Sequence, residues 1–226
     1  QIELQDGLDK FYLSRIGIRT LIGQYLALKH DFNEDFNPVR PIVGMIHQSA
    51  SPYEIAKNAI SDATYMCTRT HGDAPHVTIH GRIDLTFPTI PEYVHYILLE
   101  LLKNSMRATV EFHGVDNDLP PIKIVIADGE DNEDVVIKVS DEGGGIRRSH
   151  IDKIWSYLFT TANTKDVDDL VINDDSSADF NRSSPLAGLG YGLPIARNYA
   201  RHLGGDLAIM SMEGYGTDGF VYLARI

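Results

Sequence analysis

Val135-Val-Ile-Lys-Val-Ser-Asp-Glu-Gly-Gly-Gly145 reads as an apolar strand running straight into a carboxylate and three successive glycines. Consecutive glycines let a backbone approach a flat ligand closely, and a carboxylate at a strand end can accept from an exocyclic amine. A plain turn needs one or two glycines and no acid. The strand pairs in sequence with Ile122–Ala127, across the acidic turn Asp128-Gly-Glu-Asp-Asn132.

Upstream, Pro88 and Pro91 introduce a helix over about 91–113, ended by Gly114. Val94, Ile97, Leu98, Leu101, Leu102 and Ala108 give it a core face. Glu100, Lys103, Asn104, Arg107 and Glu111 fall at i, i+3, i+4, i+7 and i+11, one continuous polar stripe. By itself such a stripe reads equally well as a solvated face with charge pairs. Downstream, Gly188-Leu-Gly-Tyr-Gly192 opens directly into a helix ending near Leu203, a pattern that exposes backbone N–H groups at a helix N-terminus and suits phosphate. It is neither the Rossmann spacing nor a P-loop. A third cluster, Gly214-Tyr-Gly-Thr217, joins the strands Asp206–Met212 and Phe220–Arg225 and taken alone reads equally as a hairpin turn.

The remaining segments are plainer. Residues 8–28 read as a helix whose apolar positions cover more than one face, so that it needs partners. Residues 31–50, with Pro38 and Pro41, read as a connector. Ser51, Pro52 and Glu54 form a complete helix-start signal, and Gly72 stops that helix. Val77 and Ile79 alternate as a short strand, and a further helix is expected from Ser149 to about Leu158. Residues 160–187 hold six Asp and four Ser with almost no apolar periodicity, and read as a mobile lid.

Composition narrows the classes. The 226 residues are 43% hydrophobic and 23% charged, enough for a real core. Lys and Arg total 20 against 32 Asp and Glu, a formal charge of −12, which argues against nucleic acid or an anionic membrane as the main partner. No apolar run approaches the roughly 18 residues of a membrane span. The single Cys67 excludes an internal disulfide framework and fits a reducing compartment. The chain opens on Gln1 without a signal-peptide pattern and reads as a processed or trimmed piece.

The order of these pieces is more specific than any one of them. Helix with Glu and Asn, strand–Asp–Gly–Gly–Gly, polar lid, Gly-x-Gly-x-Gly into a helix, then Gly-x-Gly-Thr resembles the Bergerat ATP-binding fold of Hsp90-type chaperones, DNA gyrase B, MutL and histidine kinases. Within it, Ser14-Arg-Ile-Gly-Ile-Arg19, Phe87-Pro-Thr-Ile-Pro91, Glu100-Leu-Leu-Lys-Asn-Ser-Met-Arg-Ala108, Phe159-Thr-Thr161 and Gly190-Tyr-Gly-Leu-Pro194 resemble the mitochondrial protein kinases that act on pyruvate and branched-chain 2-oxoacid dehydrogenases.

The resemblance implies a two-layer α/β (α+β) sandwich, a mixed sheet covered on one face by helices. Residues 1–30 would be the last helix of an N-terminal helical bundle, 31–50 a connector and 51–226 the ATP-binding kinase domain. It implies a serine kinase of the mitochondrial matrix that inactivates a 2-oxoacid dehydrogenase complex through its E1α subunit. ATP and Mg²⁺, with K⁺ as a further cation, are the implied cofactors. A lipoyl domain of the E2 core and a second copy of the chain are the other implied partners. Asn104 would hold Mg²⁺, and Glu100 would act as base or orienter for the serine hydroxyl, with Lys103 and Arg107 beside it. Asp141, Gly143, Gly145 and Thr217 would form the adenine pocket. Thr160 and Thr161 would lie at the lid hinge, with backbone amides of Gly188, Leu189, Gly190, Tyr191 and Gly192 on the triphosphate.

Tyr96 stands where the pyruvate dehydrogenase kinases carry a His, four residues before the Glu. That substitution and Leu-Leu in Glu100-Leu-Leu-Lys-Asn104 lean towards the branched-chain branch, and His95 reads as a surface or packing residue. Two other readings stay open: a histidine-kinase-type catalytic domain, and an ATP-driven clamp without kinase activity. A nucleotide-binding pseudoenzyme is disfavoured by the intact Glu100/Asn104 pair.

Overall fold

The computed structural model describes residues 2–33, 42–129, 134–160 and 190–225. Most of the expected lid, with Thr161, Gly188 and Leu189, lies outside the described residues. A long helix α1 (Ile2–Asn33) precedes a hairpin β1 (Ile42–Val43) and β2 (Ile46–Ala50). Then follow α2 (Pro52–His71), β3 (Val77–Gly81), β4 (Phe87–Thr89), α3 (Pro91–His113), β5 (Ile122–Asp128) and β6 (Asp134–Asp141). A 3₁₀ turn at Arg148–His150, helix α4 (Gly192–His202), β7 (Asp206–Met212) and β8 (Gly216–Ala224) complete the chain.

The larger sheet has the order β3-β5-β6-β8-β7, with β3 parallel to β5 and every other pair antiparallel. Alternation along the strands decides which face is covered. Ile122, Ile124 and Ile126 of β5, Val135, Ile137 and Val139 of β6, and Val221 and Leu223 of β8 are all buried, and the register places them side by side. Against them pack Val94, Ile97, Leu98 and Leu102 of α3, with Ala59 and Ala63 of α2 and Ala196 and Ala200 of α4 in the same core. The expected two-layer arrangement of helices on one face of a mixed sheet is what forms.

Local signals explain the helix ends. The Ser51 hydroxyl accepts from the Glu54 N–H at 3.4 Å, Pro52 stands at the first helical position, and Gly72 ends α2.

Three expectations need correction. The connector is not featureless: β1 and β2 form a hairpin and β2 pairs with β4, a second small sheet. Strands this short carry little periodicity, and this hairpin is held by α1, since the Gln24 amide donates to the Val43 carbonyl and accepts from the Met45 N–H. The first helix is longer than 8–28, running over Ile2–Asn33. Residues 149–158 are not a helix but a 3₁₀ turn followed by further turns. Backbone groups there are drawn elsewhere: Trp155 C=O accepts from the Gln5 amide, and the Leu158 N–H donates to Gly190 C=O.

Helix α1 docks through Ile16, which is buried, and through Thr20, whose hydroxyl lies 2.6 Å from the Tyr93 hydroxyl and 3.1 Å from His202 Nε2. Leu4, Phe11, Leu21 and Tyr25 on its other sides are exposed. Among the described residues no helix is long and apolar enough to cross a membrane.

Candidate functional site

The polar stripe of α3 is buried at its start, half-buried at Asn104 and Arg107, and exposed only at Glu111. Glu100 and Lys103 are buried, at 7% and 2% exposure, with the Lys103 ammonium donating to Glu100 Oε1 at 2.9 Å. The start of α4 lies over Glu100. A side chain on Gly192 would press on Glu100 Oε2 and push the carboxylate from its present position, so glycine there lets the helix entry lie directly over it. One turn before Glu100, the Tyr96 ring packs at a tilt against Tyr199, 5.0 Å between centroids, and burial, reinforced by the Glu100 carboxylate, pushes its phenol pKa well up. His95 lies off this stripe and meets Asp62 of α2 at 3.1 Å.

Further along α3 the helix crosses the end of β6. Asp141, the last residue of that strand, is buried and accepts three hydrogen bonds, which leaves acceptor capacity on the carboxylate. Its Oδ2 accepts from the Ser105 hydroxyl at 2.7 Å, and its Oδ1 from the backbone N–H groups of Gly143 at 3.0 Å and Thr217 at 3.3 Å. Burial pushes the carboxyl above the usual range, while these three donors pull the other way by favouring the ionised form. The carboxylate thus fixes the glycine triplet and the β7–β8 hairpin in one place. The hairpin bonds the triplet in return: Gly144 N–H donates to Tyr215 C=O, and Gly214 N–H to Gly144 C=O. Ser211 of β7 accepts from the Ile146 N–H at 2.8 Å and lies 3.0 Å from the Thr217 hydroxyl.

Gly143 passes directly over α3. A Cβ there would stand 2.7 Å from the Ala108 carbonyl carbon and 2.8 Å from the Thr109 nitrogen, both main-chain atoms that cannot turn aside. Gly143→Ala is therefore expected to cost about 1–3 kcal/mol of folding stability through overpacking. Urea unfolding of the variant against the parent checks it.

Between these elements lies a cavity of about 780 Å³. Of the residues singled out from the sequence, Glu100, Asn104, Arg107, Asp141, Gly143, Gly145, Thr160, Gly190, Gly192 and Thr217 line it. Lys103 sits beneath Glu100 rather than on the wall, and the Tyr191 ring is placed near Tyr157, 6.1 Å between centroids. Sequence reasoning passed over Ser105, Ala108, Ile146, His150, Phe159, Leu193, Ile209 and Gly219, which also line the cavity. Ala108 was within reach, since it stands one turn beyond Asn104 on the same face of α3. Ile209 and Gly219 carry no local signal; β7 and β8 bring them there.

The chemistry of the wall is polarised. One end offers a carboxylate, an ammonium beneath it, an amide and a helix N-terminus, a set suited to phosphate and a hard cation. The other offers a buried acceptor between apolar side chains, Val139, Ile209 and Leu101, suited to a flat ring bearing an amine.

A family profile described as histidine kinase-, DNA gyrase B- and HSP90-like ATPase matches residues 89–225, and one described as mitochondrial branched-chain alpha-ketoacid dehydrogenase kinase matches residues 1–47. The mitochondrial pyruvate dehydrogenase (acetyl-transferring) kinase of Arabidopsis thaliana is 49% identical over 225 residues, covering 99% of this chain and 58% of that protein. Its counterpart in Schizosaccharomyces pombe is 47% identical over 226 residues, 99% of this chain and 51% of the relative. That of Drosophila melanogaster is 37% identical over 232 residues, 99% and 52%. The chain spans about half the length of the curated relatives it matches.

Proposed function

The chain belongs to the histidine kinase-, DNA gyrase B- and HSP90-like ATPases, and from that premise we propose that it is the ATP-binding part of a mitochondrial protein-serine kinase acting on the E1α subunit of pyruvate dehydrogenase. The observation that carries the reading is the meeting of Glu100, Asn104 and Asp141 on one cavity wall, with a glycine-led helix start closing over Glu100. The relatives aligned over 99% of the chain are named for pyruvate dehydrogenase, whereas the branched-chain profile covers residues 1–47. That balance favours pyruvate dehydrogenase over the branched-chain enzyme.

In this reading adenine enters the apolar end and its amine donates to Asp141. The triphosphate extends towards Gly190 and Gly192, where backbone N–H groups and the first turn of α4 favour negative charge. Among the described residues no cluster of three His, Cys, Asp or Glu side chains could hold a metal. A divalent ion here would take most of its ligands from phosphate and water, as Mg²⁺ does, with the Asn104 amide oxygen as the protein's own donor. Bound there, Mg²⁺ supplies charge neutralisation to the phosphates.

Glu100 would take the proton of the attacking serine hydroxyl. The serine oxygen bonds to the γ-phosphorus, the bond to the β,γ-bridging oxygen breaks, and ADP departs with that electron pair. Lys103 balances the Glu100 charge and fixes one carboxylate oxygen, leaving Oε2 towards the α4 entry.

The test is phosphate transfer in vitro. The intact protein, Mg²⁺ and γ-labelled ATP are incubated separately with pyruvate and branched-chain E1 components. Acid-stable phosphoserine on the pyruvate E1α is the expected product. Label on the branched-chain E1α alone would reassign the substrate. Acid-labile label on the protein itself, or ADP release with no labelled acceptor, would overturn the serine-kinase reading.

A further inference from the structure

Outside the cavity, one tyrosine joins three elements. Tyr157 is buried at 8% exposure, and its hydroxyl donates to Asp9 Oδ1 of α1 at 2.6 Å while accepting from the Asn198 amide of α4 at 2.9 Å. Its ring stacks on Tyr12 of α1 at 5.1 Å. Gln5 of α1 brackets the same segment, donating to Trp155 C=O and accepting from the Tyr157 N–H. Trp155 in turn lies under the Arg197 guanidinium of α4, 4.4 Å from its ring centre. Burial, followed by the bond to Asp9, pushes the Tyr157 phenol well above its usual pKa, so it remains a donor at neutral pH.

The next residues are part of the cavity. Leu158 has φ +67°, a left-handed conformation that a branched side chain adopts only when its surroundings enforce it. The enforcing contact is with Gly190: Leu158 N–H donates to Gly190 C=O at 3.1 Å, and Gly190 packs so closely on Leu158 and Phe159 that a Cβ would overlap their main chain. Phe159, Thr160 and Gly190 then form the cavity wall.

We propose that Tyr157 is a positioning residue for nucleotide binding: its hydroxyl, held between Asp9 and Asn198, seats the 157–160 segment against Gly190, so that the docking of α1 sets the affinity of the cavity. Neither Asp9 nor Tyr157 lines the cavity, so an effect on nucleotide passes through the Leu158–Gly190 contact or through Asn198 and the start of α4. The inference rests on the reading of the cavity as an ATP site.

The experiment measures ATP binding by calorimetric titration on the intact protein and on Tyr157→Phe, which keeps the ring and its stack and loses only the hydroxyl. The Kd is expected to rise about 5–10-fold, the scale of one ordinary net hydrogen bond. Asp9→Asn is expected to raise it about threefold, and the double variant to fall short of the product of the two, because both act on one bond. A purely structural tyrosine would lower the unfolding temperature and leave the Kd of the folded variant unchanged, which overturns the proposal. So does full multiplicativity of the two substitutions. A parent protein that binds no ATP overturns the reading of the cavity and this inference together, whereas normal parent binding with an unmoved Tyr157→Phe Kd overturns this inference alone.

Discussion

Asp141→Asn is expected to weaken ATP binding about a hundredfold while weakening ITP binding much less. The reason lies in how the carboxylate is occupied. Oδ1 takes two backbone N–H groups, from Gly143 and Thr217, and neither can rotate. An asparagine must therefore keep its oxygen there and put its NH₂ where Oδ2 now meets Ser105. Ser105 can turn its hydroxyl to accept, so the fold survives. The adenine amine then faces a donor instead of an acceptor and loses a charge-assisted hydrogen bond worth about 1.5–3 kcal/mol. Inosine carries an oxygen at that ring position, which the new NH₂ can bond. Calorimetric titration with both nucleotides decides the matter, and an unchanged ATP Kd would remove Asp141 from the adenine pocket.

Glu100→Gln is expected to reduce phosphoryl transfer by about 10²–10⁴, the usual contribution of a positioned general base. ATP affinity should change by less than tenfold, because the amide keeps the carboxylate's shape beneath Gly192. A second effect accompanies the first. Glu100 and Lys103 are both nearly inaccessible, and taking the charge from one partner of a buried pair typically costs about 3–5 kcal/mol. The variant should unfold at lower temperature, and Glu100→Gln with Lys103→Met should recover most of that loss without recovering activity. Single-turnover transfer from labelled ATP, measured on folded protein, separates the two. Transfer at the parent rate in Glu100→Gln would exclude it as the base.

Much of the architecture was legible because its signals are local. The α3 periodicity, the cap at Ser51, the stop at Gly72 and the strand leading into Asp141 each sit within a few residues of what they determine. The burial of Glu100 and Lys103 was not legible, since spacing shows that they share a face but not that the start of α4 lies over Glu100. The small sheet escaped notice for a related reason: two residues of β1 carry no pattern, and Gln24 of α1 secures the hairpin. The helix expected over residues 149–158 does not form, because distant residues, Gln5 and Gly190, claim backbone groups there. Among the site residues, Asp141 announced itself through its neighbours in sequence. Its partner Ser105 did not, because that bond links distant stretches of chain.

The chain contains one tryptophan, Trp155, and it lies where α1 and α4 meet. Its indole sits under a guanidinium from α4, with its own carbonyl bonded to Gln5 of α1. Unlabelled protein therefore carries a native optical reporter at that junction: emission intensity and wavelength should follow the separation of the two helices, in real time and without an attached dye.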